Sequence, residues 1–231
     1  YGPEWLDVQT NGFGDHTILS ENSPTLSYWE TIFNRFVDGD TSFVDSVLTD
    51  SIQSFFYELV IFNDTTLNKT FHLLREQLDT SYIDYNIPEI TSDDVVGGFR
   101  NGWGLFIINR NATREQILIQ VPHPCDDFIA PYIALDLFFE TDAFGFMIAG
   151  AGREVAWNQI GDYSNSKSIS DPSRYPHTVF QKFQDAVTEP LIGINPHWPL
   201  VFAIHSFDNQ THLERKPIIM AAGGQNSFTT K

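Results

Sequence analysis

Short apolar runs alternate with longer segments of helical period through the last two thirds of this chain. GLFIIN (104–109), EQILIQV (115–121), FGFMIAG (144–150), LVFAI (200–204) and PIIMAAGG (217–224) are strand-length and rich in β-branched or aromatic residues. IAPYIALDLFFE (129–140) and HTVFQKFQDAVTE (177–189) read as helices between them. Strands alternating with helices bury both faces of a sheet under helices. The expected fold is therefore α/β, with a mixed, largely parallel sheet and flanking helices. The segment RNATR (110–114) is expected to close a hairpin between the first two runs.

The first third has a different texture. Residues 1–25 are rich in Gly, Asn, Ser and Asp and read as an irregular arm. Leu26, Trp29, Ile32, Phe33 and Phe36 fall at helical spacing. Residues 41–61 and 66–79 also approach a 3.6-residue period, with the link at 63–70 as a break. The expected organisation is an arm and helical extension over 1–95, packed on an α/β domain over 96–231 as one compact unit.

The 231 residues include 20 Phe and 5 Trp, enough for a sizeable core. No apolar run approaches the ~18 residues of a membrane span. The chain opens at Tyr1 with no basic segment followed by an apolar one, as expected of a processed chain or one lacking its start. Thirteen Lys+Arg against 30 Asp+Glu leave a net charge of −17, which argues against nucleic acid and anionic membranes as partners. The acidity is spread along the chain and suits a solvated surface. A single cysteine excludes an internal disulfide framework. Asn63, Asn68, Asn111 and Asn209 each begin an Asn-x-Thr glycosylation acceptor, and these point to a secreted chain.

Ligand sites in open α/β sheets lie beyond the carboxyl ends of strands. After ILIQV come PHPCDD, after FMIAG comes AGRE, and after VFAI comes HSFDN. Two histidines, several carboxylates and an arginine would thus collect on one edge. Imidazole and carboxylate suit zinc, and a catalytic site takes three such ligands. His123, Asp126 and His205 are the expected ligands of one zinc ion. Asp127 competes with Asp126 for that role or orients His123 through a hydrogen bond. Arg153 is the candidate to hold a substrate carboxylate. The donor set does not separate zinc from other divalent ions that accept imidazole and carboxylate.

VPHPCDD, LDLFFETDAFGFMIAGAGRE, DPSRYPHTVFQKF and FAIHSFD together resemble secreted bacterial proteins related to zinc carboxypeptidases and to N-formylglutamate or poly-γ-glutamate amidohydrolases. The resemblance covers roughly residues 97–222. It implies a zinc-peptidase-like hydrolase fold and cleavage of an amide bond near a carboxylate, with a peptide or N-acyl amino acid as substrate. It also implies His123, Asp126 and His205 as zinc ligands and Arg153 as a substrate contact. The chain departs from the pattern at Gly152, where relatives carry a histidine, and at Arg174, where a histidine is common. No glutamate is identified as general base: Glu214 lies between strands, and Glu154 is as well suited to an ion pair with Arg153. The base would lie beyond this chain or be lost. In the latter case the chain is a secreted structural or interaction glycoprotein on a hydrolase fold, with self-assembly or protein partners.

Other features carry simpler readings. His72, among Phe71, Leu73 and Leu74, is expected to be a packed or capping side chain. Cys125 lacks an adjacent base and reads as a small buried residue. The glycines in VVGGFRNGWG match no phosphate-loop pattern and read as a turn.

Overall fold

The computed structural model describes residues 19–50, 55–78, 99–124, 127, 129–152, 170–195 and 199–206. Helix α1 (Pro24–Asp38) buries Leu26, Trp29, Ile32, Phe33 and Phe36 on one face, as their spacing requires. It starts at a proline and stops at Gly39, whose φ of 85° is open to glycine at little cost. Helix α2 (Thr41–Leu48) follows at once, its first turn capped by the Asp40 carboxylate accepting from the Phe43 N–H at 3.2 Å.

Strands β1 (Tyr57–Asp64) and β2 (Lys69–Glu76) occupy the stretch expected to be helical. They form an antiparallel hairpin in which Phe62 faces Phe71. Its turn is built by Asp64, whose carboxylate accepts from the N–H groups of Thr66 (2.8 Å) and Leu67 (3.0 Å), and by Asn68 at a φ of 52°. The helical reading of 66–79 failed because β2 is buried on both faces. Phe71 and Leu73 face one core and Leu74 the other, so FHLL lacks the alternation of a half-exposed strand. His72 is buried on that strand; burial and the nearby Arg110 charge lower its pKa.

Strands β3 (Leu105–Asn109), β4 (Arg114–Val121), β5 (Ala143–Ile148) and β6 (Leu200–Ala203) complete a sheet of order β1-β2-β3-β5-β4-β6. The sheet is mixed but predominantly antiparallel, which corrects the largely parallel sheet expected from the sequence. β1/β2, β2/β3 and β3/β5 are antiparallel; only β5/β4 and β4/β6 are parallel. The expected hairpin between β3 and β4 is also absent, because β5 inserts between them. Gly145 of β5 packs closely on β4 there: a Cβ would lie 2.7 Å from Leu118 Cδ1. The segment 217–224, expected to be a strand, lies outside the described residues.

Two cores flank the sheet. On one face α1, α2 and helix α4 (Val179–Ile192) cover Phe106, Ile108, Leu118 and Met147. Phe33, Phe106 and Phe183 interlock there at ring separations of 4.8 to 5.2 Å. On the other face helix α3 (Ala130–Glu140) covers Ile107, Ile119, Phe146 and Ile148. At the end of β2, buried Glu76 accepts from the N–H groups of Asn101 and Trp103, tying loop 99–104 to the sheet. Burial pushes its carboxyl up to about 7, against the opposing pull of those N–H groups and that of Gly102.

The helix placement defines the functional edge. The chain leaves β4, crosses one face as α3 and returns as β5. It then crosses the other face as α4 and returns as β6, on the opposite side of β4. The carboxyl end of β4 is therefore a topological switch point, where α/β sheets open a crevice. Among the described residues no helix is long and apolar enough to cross a membrane.

Candidate metal centre

At its carboxyl end β4 is held from both sides. Gln120 O accepts from the Ile204 N–H at 2.9 Å, and Val121 O from the Ala149 N–H at 3.0 Å. Pro122 has no N–H to continue the ladder. The next residue, His123, opens a tight turn in which the Asp127 N–H donates to His123 O at 2.8 Å. The Ala130 N–H then donates to Asp127 O at 2.7 Å, starting α3. His123 and Asp127 are thus carried on the strand-to-helix junction, and both are buried. His205 follows β6, the parallel neighbour of β4, and is 40% exposed at its side chain.

His123, Asp127 and His205 form a cluster that could hold a metal ion, their ligand atoms all lying within 4.8 Å of one another. His205 Nδ1 is 2.9 Å from Asp127 Oδ2, and His123 Nδ1 is 3.7 Å from the same oxygen. Tetrahedral zinc with bonds of ~2.0–2.1 Å separates its donors by about 3.3 Å, and these two distances straddle that value. Two imidazoles and one carboxylate also match the donor types of catalytic zinc sites.

A second carboxylate stands behind His123. Asp171 Oδ1 lies 2.8 Å from His123 Nε2. Asp171 is itself fixed by the Ser173 N–H at 2.9 Å and by Arg174 Nε, 3.4 Å from Oδ2. Burial raises the Asp171 pKa, but the hydrogen bond and charge of His123, the Ser173 N–H and the Arg174 charge outweigh it and hold the carboxyl below its usual range. An ionised carboxylate only accepts, so Nε2 carries the hydrogen and Nδ1 is the nitrogen turned toward Asp127. Ser173 Oγ, 3.2 Å from the same Nε2, therefore meets an N–H and not a base, which removes a serine nucleophile from consideration.

Asp127 is held in the same way. Burial raises its pKa, but His123, His205 and the Ser206 hydroxyl, which donates to Oδ1 at 3.0 Å, more than reverse this and keep it well below the ordinary carboxylate range. The centre thus holds two ionised carboxylates around one imidazole, an arrangement that attracts a cation.

His123 and His205, expected from the sequence to share a site, have ring centroids 4.8 Å apart. Asp127, expected as a competitor of Asp126 or a partner of His123, is the carboxylate in the cluster among the described residues. Asp126, Cys125, Arg153, Glu154, Glu214 and Asn209 lie outside the described residues. Asn63, Asn68 and Asn111 are exposed at the far end of the sheet, where Thr70 N–H donates to Asn111 Oδ1 at 2.8 Å. Sequence reasoning missed Asp171 and Ser206. The signal for Asp171 was Asp-Pro-Ser-Arg, a turn in which the aspartate caps its own backbone. Ser206 simply follows His205.

No protein family, curated protein or solved structure matches this chain. What the geometry supports is a coarse statement, that the chain carries a His-Asp-His cluster suited to a metal ion.

Proposed function

We propose that this protein is a divalent-metal-dependent hydrolase of amide bonds near a carboxylate, with zinc as the metal. The observation that carries the reading is the convergence of His123, Asp127 and His205 at the switch point of the sheet. Bound there, zinc would acidify a water molecule and polarise the scissile carbonyl. The chain's own part is orientation. Asp171 holds His123 by Nε2 so that Nδ1 faces the centre. Asp127 supplies the negative charge that retains the cation in a buried setting. His205 lies at the exposed side, where a peptide or N-acyl amino acid would enter. The resemblance of the quoted motifs to zinc carboxypeptidases and N-acyl amidohydrolases supports this substrate class, and the sequons support a secreted setting.

The test is elemental analysis of the purified protein with His123→Ala as control, followed by a screen of acidic dipeptides and N-acyl amino acids. About one zinc per chain, lost in the variant, together with turnover that a chelator abolishes, is the expected result. Metal without turnover would leave a binding protein on this fold. No metal in either protein, with both folded, would remove the hydrolase reading altogether.

A further inference from the structure

The two oxygens of Asp127 are held by two consecutive residues. His205 Nδ1 lies 2.9 Å from Oδ2, and the Ser206 hydroxyl donates to Oδ1 at 3.0 Å. Both residues follow directly from β6, so one strand end grips the carboxylate at both points. With an ion bound to His205 Nδ1 that nitrogen no longer donates to Oδ2, and the Ser206 hydroxyl at Oδ1 remains to hold the carboxylate plane. Oδ2 is the oxygen turned toward the imidazoles, since His123 Nδ1 also approaches it, at 3.7 Å. Oδ1 is engaged by a hydroxyl that belongs to neither imidazole.

We infer that Ser206 is a positioning residue that sets the metal selectivity of this centre by keeping Asp127 a one-oxygen ligand. The inference rests on the metal-binding reading of the cluster. Chelation by both oxygens must compete with the Ser206 hydrogen bond at Oδ1. With that bond in place the described residues of the centre offer two nitrogens and one oxygen, each a single donor. Such a set suits a small ion content with four ligands. It does not suit calcium, which takes six to eight oxygens and often chelates a carboxylate at both. It also disfavours manganese relative to zinc, because manganese favours octahedral oxygen sites. Asp171 performs the matching task for His123, so every buried donor has its facing atom chosen by a neighbour.

The test is substitution of Co²⁺ and Zn²⁺ into the full chain and into Ser206→Ala. Four-coordinate cobalt absorbs visible light several-fold more strongly than five- or six-coordinate cobalt, which a merely structural role of Ser206 would not move. The wild type is expected to give the strong four-coordinate spectrum. Ser206→Ala is expected to lose most of that intensity, to bind zinc about tenfold more weakly, and to narrow the preference for zinc over manganese. Ser206→Thr, which keeps the hydroxyl, is expected to restore the spectrum. If Ser206→Ala does not fold, Ser206→Gly serves for the same comparison. A hydroxyl-free variant with the wild-type spectrum and affinities overturns the assignment of Ser206 and leaves the metal centre standing. A wild type that takes up neither ion overturns both.

Discussion

Asp171 and His123, 48 positions apart in the chain, meet at 2.8 Å through Oδ1 and Nε2. One hydrogen bond decides which nitrogen of the imidazole is turned toward Asp127. It converts a histidine that happens to follow a strand into one with a fixed task. Replacing Asp171 by Ala should therefore weaken zinc binding about 10- to 100-fold without unfolding the chain. Replacement by Asn, which keeps an acceptor oxygen but not the charge, should fall between. Competition against a chromophoric chelator measures both. Unchanged affinity in the alanine variant would mean that Nε2 is not committed to Asp171.

Binding to the folded state alone raises stability by mass action. At a free zinc concentration of ~100 Kd the gain is ~2.7 kcal/mol. The melting temperature of the wild type should climb as zinc is added, and that of Asp127→Ala should not. Differential scanning calorimetry across a zinc series distinguishes the two. Equal climbs would place the ion elsewhere.

Glu76 gives a pH signature independent of the metal. Its folded pKa of about 7 exceeds the ordinary 4.5, so the folded state holds this proton more tightly than the unfolded chain does. The contribution is fully present below pH ~4.5 and is lost as pH rises through about 7. At 1.36 kcal/mol per unit the loss is on the order of 3 kcal/mol. Urea unfolding of wild type and Glu76→Gln between pH 5 and 8 should show a gap that shifts in favour of the variant as pH rises. A constant gap would mean that the carboxylate is as well solvated by its three N–H donors as it is in water.

Gly145→Ala should cost ~1–3 kcal/mol. The added Cβ would lie 2.7 Å from Leu118 Cδ1, so the fully buried Leu118 side chain would have to shift. Chemical denaturation gives the value. A neutral result would show that β4 and β5 can separate slightly without loss.

The site was more legible in the sequence than the sheet that carries it. His123 and His205 were marked by position alone, since each ends an apolar run that only a strand could use. Asp127 was visible as one of two adjacent aspartates, and spacing alone does not choose between such neighbours. Asp171 was marked only as the head of a turn, because its role toward His123 exists only once β4 has brought His123 to it. The sheet direction was misread for two physical reasons. β2 is buried on both sides, which erases the alternation that marks a strand. And β5 pairs with both β3 and β4, coming between strands that are neighbours in the sequence, a tertiary choice no local pattern records.

The placement of β6 has a consequence for the order of events in folding. Among the described residues it pairs only with β4, and it carries His205 and Ser206 to a carboxylate 78 and 79 positions earlier in the chain. Among the described residues the cluster is therefore complete only after β6, the last strand of the described sheet, has docked on β4. Edge strands open at lower free energy than central ones. Loosening β6 would disarm the centre while both cores remain closed, so amide exchange at Val201 to Ile204 should slow when zinc is added and stay fast in Asp127→Ala. Metal occupancy would then report on whether β6 is home, and the zinc-free chain would be folded but unlatched.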